Sequence, residues 1–253
     1  MMNLDTRWAA LTAVLLLLLL ISAGLNVVLL KQARHAMRQW ALTALDPVGL
    51  RSVEEQTMRG ETAQKTVLFF GDSRAVSWTP PEMAGVNFVN RGVNGNTSEQ
   101  ALARFAAHVT PLQPDVLVAQ VCVNDLRAIP VLPGQKSEIT ARCMENIDEM
   151  VKRVKEGETA VILTTIFPVQ PPPPLERMYW SHDVVTAIET VNDHIRSLAG
   201  ENVVVLDAHA LLADEQGFLR DDYAADNLHL NAAGYRRLNE AFAPLLQELM
   251  RDT

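Results

Sequence analysis

The chain has 253 residues, 48% of them hydrophobic, and a formal charge of -8 at pH 7. Residues 1–40 contribute +3, which leaves -11 on residues 41–253, and an acidic domain without a basic stripe argues against nucleic acid as a partner and against broad electrostatic adhesion to anionic lipid. Cys122 and Cys143 are too few for a disulfide framework, and no His/Cys grouping has the spacing of a structural zinc site, so neither metal nor cofactor is expected.

Residues 1–7 form a short N-terminal tail. Trp8 to Leu30 follows as 23 residues without a charge, including six consecutive leucines from Leu15 to Leu20. As a helix this segment is about 35 Å long, sufficient for a hydrocarbon core of roughly 30 Å. A cleaved signal peptide is the rival, but Ser22-Ala23-Gly24 is a poor cleavage site because Ile21 stands two residues before Ala23. The expectation is therefore one uncleaved transmembrane helix over 8–30 that ties the protein to the membrane. Lys31, Arg34 and Arg38 on the far flank lean toward a cytoplasmic domain, by a rule that weakens when a long domain follows. The overall expectation is a single-pass inner-membrane protein with the domain that follows the helix on the periplasmic side.

Residues 31–64 read as a polar, weakly helical connector interrupted at Asp46-Pro47, because the residue before proline is pushed out of the helical region. From residue 65 to 253 short apolar runs alternate with helix-length segments. The expected strands are Val67–Phe70, Val86–Val89, Asp115–Val121, Ala160–Ile166 and Val203–Leu206. The expected helices are Ser98–His108, Glu138–Lys155, Asp183–Leu198 and Ala232–Met250. The third of these aligns Val184, Ile188, Val191 and Ile195 on one face. Such alternation implies a parallel sheet with helices on both faces. Pro130–Gly134 and Pro171–Pro174 cannot sit in central strands and are expected beside the crevice.

Four stretches fall where strands end: Gly71-Asp72-Ser73, Asn90 to Thr97, Val123-Asn124-Asp125, and Asp226-Asn227-Leu228-His229. In open α/β sheets that is where ligands bind. Acyl transfer needs a hydroxyl, a base, a group that orients the base, and donors for the developing oxyanion. Ser73 supplies the hydroxyl, His229 the base and Asp226 the orienting carboxylate. Asn124 offers a side-chain N–H pair, and Gly95 a backbone N–H that no Cβ shields. Asp72 and Asp125 read as structural loop residues.

In these four blocks, in this order and spacing, the chain resembles the SGNH hydrolases, the superfamily that includes GDSL esterases and lipases. The likeness covers about residues 65 to 245. It implies a flavodoxin-like three-layer α/β/α sandwich with a central five-stranded parallel sheet, here preceded by one transmembrane helix. It also implies ester hydrolysis through a serine acyl-enzyme, with an oxyanion hole of Ser73 N–H, Gly95 N–H and the Asn124 side chain. Cys122 departs from the family pattern, which usually has glycine two residues before the asparagine; a thiol fits there as a small buried hydrophobe.

Arg74, Arg91 and Arg127 each lie on a different crevice loop, a local positive cluster that could bind an anionic part of the substrate. The expected partner is a small-molecule, glycan or lipid ester: a small acyl ester of an envelope glycan, or a lysophospholipid or thioester. An O-acyltransferase with the same triad, and a non-catalytic envelope binding module, are the alternatives.

Overall fold

The computed structural model describes residues 4–51, 65–155, 157, 159–171 and 181–252. It divides into two units, Met1–Pro47 and Val48–Thr253. The first unit is a single helix, α1 (Leu4–Leu45), long and apolar enough to cross a membrane, with its leucines from 15 to 20 exposed. It passes residue 30 without a break, so the first part of the expected connector is its last turns. The helix stops before Asp46-Pro47, as the restriction on the residue preceding proline requires. Residues 52–64 of the connector lie outside the described residues.

The second unit runs β1 (Lys65–Gly71), α2 (Ser73–Val76), β2 (Val86–Gly92), α3 (Ser98–His108), β3 (Val116–Gln120), α4 (Val123–Leu126), α5 (Lys136–Lys155), β4 (Ala160–Thr164), α6 (His182–Ser197), β5 (Val203–Leu206), α7 (Ala208–Leu212) and α8 (Ala232–Asp252). The five strands form one parallel sheet in the order β2-β1-β3-β4-β5. The strand order reverses between β1 and β3, which opens a crevice at their carboxyl ends.

Because side chains alternate across a strand, each apolar run feeds two cores. Leu68, Phe70, Leu117, Ala119, Val161 and Leu163 pack with α3, α5 and α6 on one face. Val67, Phe69, Val116, Val118 and Ile162 pack with Trp78 and α8 on the other. Phe69 and Phe70 are both buried, on opposite faces. Burying such a side chain stabilises by about 1.5–3 kcal/mol, so covering both faces is what holds the run as a strand. The expected stripe on α6, Val184, Ile188, Val191 and Ile195, is buried, and α5 likewise buries Cys143, Ile147, Met150 and Val154 while Ile139 is partly exposed.

β2 is longer than its apolar run. Asn90, Arg91 and Gly92 continue it because Asn90 Nδ2 donates to Ala75 O at 2.8 Å while Asn90 Oδ1 accepts from Gly92 N at 2.8 Å. Three short helices, α2, α4 and α7, carry no periodicity to betray them. Cys122 and Cys143, expected as separate buried apolar residues, are joined in a disulfide with Cα atoms 5.9 Å apart. Of the proline run Pro171–Pro174, only Pro171 is among the described residues.

β1 ends against β3 with no room to spare. Gly71 has φ +151°, and a Cβ built on it would lie 1.7 Å from the Gln120 carbonyl oxygen. The next residue crosses to β3, Asp72 N donating to Gln120 O at 3.2 Å. Gly71→Ala must therefore part the two central strands beside Ser73. We expect it to lower unfolding free energy by at least about 3 kcal/mol, read as a shift in the denaturation midpoint; a wild-type midpoint would refute this account of the turn.

Candidate active site

Two loops and two short helices converge at the carboxyl ends of β1, β2 and β3. Ser73 is the first residue of α2, whose N-cap is Asp72; the Asp72 side chain accepts from Arg74 N at 2.9 Å. In the first turn of a helix the backbone N–H groups have no intrahelical acceptor, and the Ser73 N–H makes no bond to a described residue. Ser73 Oγ lies 2.9 Å from His229 Nε2. His229 Nδ1 lies 2.9 Å from Asp226 Oδ2 and 3.1 Å from Oδ1. Asp226 is itself held by the backbone, since its Oδ1 accepts from Leu228 N at 2.8 Å and His229 N at 2.7 Å. Burial would raise the Asp226 carboxyl, but the His229 ring and these two N–H groups outweigh it and hold the carboxyl below its usual range. The structure thus brings Ser73, His229 and Asp226 into one linked row.

Asn124, expected in a turn, stands on α4. Its Nδ2 donates to Asn96 O at 2.9 Å, and its second N–H is unengaged among the described residues. Gly95 is the third residue of a turn closed by Asn96 N donating to Val93 O at 3.2 Å. Its φ of +75° is what a type II turn demands at that place, and a Cβ there would point into open space. The Gly95 N–H is likewise unengaged. Asp125 is structural: it accepts from Ser98 N at 2.8 Å and Ser98 Oγ at 2.6 Å, capping α3.

The three arginines do not form one cluster. Arg74 is a correction to the expectation of a substrate contact: it is fully buried beneath the nucleophile turn. It donates to Leu228 O at 3.1 Å, Phe167 O at 3.0 Å and Pro168 O at 3.4 Å, and its guanidinium lies over the Phe167 ring. Loop carbonyls need donors when buried, and the five N–H groups of a guanidinium supply them. Arg91 is 8% exposed, close to the 9% of Ser73. Only Arg127, at the C-cap of α4, is exposed, and it makes no ion pair among the described residues.

Two further residues build the site without having stood out in the sequence. Arg104 is fully buried; it donates to Gly71 O at 2.8 Å, Arg91 O at 2.7 Å and Asn96 Oδ1 at 2.7 Å, and lies 4.1 Å over the Phe70 ring. Its signal was present: it shares the inward face of α3 with Ala101, Phe105 and His108, where a charge needs a reason. Gln120, beside Gly71 in register, is buried with both side-chain polar atoms unbonded among the described residues, as is Asp72 Oδ2. No group of three or more metal-ligating side chains occurs among the described residues.

A family model described as GDSL-like lipase/acylhydrolase matches residues 59–237. None of the curated proteins matches the chain. Among solved structures, the chain is similar to a protein assigned as an acylhydrolase from Bacteroides fragilis, at 23% identity and a TM-score of 0.63 over 79% of this chain and 94% of the other. A GDSL-like lipase from Bacteroides thetaiotaomicron gives 22% and 0.59 over 78% and 93%. An acetylxylan esterase from Geobacillus stearothermophilus gives 20% and 0.55 over 74% and 94%. At these identities the likeness is one of fold.

Burial lifts the Asp72 carboxyl from 3.8 to about 6, against the opposing pull of Arg74. The folded state then binds this proton more tightly than the unfolded chain, so the residue's contribution to stability falls as pH rises from about 4 through about 6. Asp72→Asn cannot titrate. The stability gap between wild type and Asp72→Asn should therefore shift in favour of wild type on going from pH 7 to pH 4. Thermal melts of both proteins across that interval test this, and a gap independent of pH would contradict it.

Proposed function

The chain belongs to the GDSL-like lipase/acylhydrolase family, and from that premise we propose that it cleaves carboxylic esters through an acyl-enzyme on Ser73. The observation that carries the reading is the unbroken row from Ser73 Oγ to His229 Nε2 at 2.9 Å and from His229 Nδ1 to Asp226 at 2.9 Å. His229 takes the Ser73 proton as Oγ attacks the ester carbonyl. Asp226, kept ionised by its backbone donors, holds the ring in the tautomer that presents Nε2 to the serine. The unengaged N–H groups of Ser73, Gly95 and Asn124 receive the oxyanion. His229 then protonates the leaving alcohol. Water then attacks the acyl carbon as His229 takes its proton, and His229 returns that proton to Ser73 Oγ as the Oγ–acyl bond breaks and the acid leaves. Apart from the ester and the water, every acid, base and hydrogen-bond donor in these steps is a group of the chain itself.

The substrate we favour is an ester of a short acyl group, of the kind cleaved by the acetylxylan esterase that shares the fold. The domain is placed outside the cytoplasm, tethered by α1. The Cys122–Cys143 disulfide supports this side, since such bonds persist in oxidising compartments. Arg127, exposed and without a carboxylate partner among the described residues, is the arginine we favour for contact with an anionic part of the substrate.

The detergent-solubilised protein is to be assayed on p-nitrophenyl esters of rising chain length and labelled with a fluorophosphonate probe. Ser73→Ala should abolish both turnover and labelling, and Asn124→Ala should lower kcat by about 10²–10³. Activity falling with chain length supports the short acyl group; activity rising toward long chains points to a lysophospholipid-like substrate instead. Labelling that survives Ser73→Ala would sink the mechanism. Arg127→Ala should weaken turnover of an ester bearing a carboxylate on its alcohol part about tenfold, with little change on its neutral counterpart. Equal losses on both would remove Arg127 from the binding site.

A further inference from the structure

The bond between Cys122 and Cys143 lies directly behind the proposed oxyanion hole. Cys122 is the N-cap of α4, two residues before Asn124, and its φ is +86°. A residue with a Cβ rarely adopts that conformation, and cysteine is not among the residues that tolerate it. No side-chain hydrogen bond compensates, since the cap makes none. What Cys122 has instead is a covalent tie to Cys143 on the inward face of α5, with both residues fully buried. The 5.9 Å between their Cα atoms is an ordinary disulfide span.

The other side of Asn124 is tied to the same framework. Asp125 accepts from Ser98 N and Ser98 Oγ, and Asn146 of α5 donates to Ser98 Oγ at 2.9 Å. Asn124 therefore sits between two fastenings, a hydrogen-bonded one at 125 and a covalent one at 122. The hydrogen bonds fix where α4 packs. They do not fix the dihedral angles at 122, from which the helix springs.

We propose that the Cys122–Cys143 disulfide is a positioning element that keeps Cys122 left-handed and thereby aims the Asn124 amide, so that the oxidation state of the pair sets the rate of the ester cleavage proposed above. The proposal rests on that reading of the site. Reduction by a dithiol breaks the S–S bond and places two electrons and two protons on the pair as two thiols, while the dithiol becomes a cyclic disulfide. The thiol at 122 keeps its Cβ and so keeps the steric penalty, but loses the restraint that opposes it. The backbone relaxes away from φ +86° and carries Asn124 out of line. Oxidised dithiothreitol or glutathione reverses the change.

The test separates the tie from the backbone conformation. Cys122→Ala/Cys143→Ala and Cys122→Gly/Cys143→Ala both lack the bond, but only glycine adopts φ +86° freely. Full-length protein in detergent is assayed on p-nitrophenyl acetate, with folding followed by circular dichroism and free thiols counted by titration. The expected result is a kcat for the double-alanine protein at least about tenfold below wild type with KM within about twofold, and a kcat for the glycine protein close to wild type. Wild type carrying two titratable thiols should fall to the double-alanine value and recover on reoxidation. If the bond resists reduction in the folded protein, the two double variants decide alone. A double-alanine protein as fast as wild type overturns the proposal, and so does a glycine protein as slow as the double-alanine one. Wild type inert toward both esters and a fluorophosphonate would instead be the failure of the esterase reading, distinguishable because every variant would then be equally silent.

Discussion

The Arg74 guanidinium is the contact on which the site depends. Ser73 and His229 belong to opposite ends of the domain, and the residue next to Ser73 donates to the carbonyl of the residue next to His229, Leu228, at 3.1 Å. The same side chain takes Phe167 O and Pro168 O beyond β4. On the other flank Arg104 joins the end of β1, through Gly71 O, to the end of β2, through Arg91 O and Asn96 Oδ1. Hydrogen bonds from a charged donor contribute about 1.5–3 kcal/mol each, and a buried carbonyl left without a donor costs about 1–3 kcal/mol. Loops that would otherwise be the mobile parts of an α/β fold are thus held by two interior cations.

Those cations set the electrostatics in turn. Burial pushes Arg74 and Arg104 each down to about 10, with Asp72 pulling against it, so both stay protonated at neutral pH. Asp72 is the interior anion between them and is itself pushed upward by burial. Asp125 is raised by burial too and spends its oxygens on Ser98. Asp226 differs: half of its side chain is exposed and its carboxyl is held low. The acids buried in the turns build the loops, and the acid that faces water holds the His229 ring. This division explains how three carboxylates near one crevice take unlike roles without competing for the same proton.

Much of this architecture is legible in the residues. The five strands appear as apolar runs because both of their faces are covered, and the helices as stripes because only one of theirs is. The row Ser73, Asp226 and His229 is legible because Ser73 stands just past a strand and Asp226 and His229 just before the last helix, in motifs too polar for a core. What stayed hidden is what depends on distant partners. Asn90, Arg91 and Gly92 look like a loop until Asn90 bonds Ala75 O and Arg104 bonds Arg91 O. Arg74 looks like a crevice cation because nothing nearby in sequence announces the three carbonyls it serves. The disulfide joins residues 21 apart, a spacing that carries no pattern.

The nucleophile turn and the oxyanion turn are built alike, on neighbouring strands. β1 ends at Gly71, with φ +151°, and Ser73 follows two residues later in the first turn of a short helix. β3 ends before Cys122, with φ +86°, and Asn124 follows two residues later in the first turn of another. A parallel strand that stops at the crevice and turns at once into a helix must pass through a conformation that most L residues avoid. That abrupt turn is what leaves helix-start N–H groups unpaired and facing the same space. At Gly71 the requirement is met by having no Cβ, since none fits against Gln120 O. At 122 there is space for a side chain, and the chain meets the same requirement with a cross-link. Two solutions to one backbone problem therefore stand on adjacent strands, and the turns that carry Ser73 and Asn124 lie side by side because β1 and β3 are hydrogen-bonded neighbours in register.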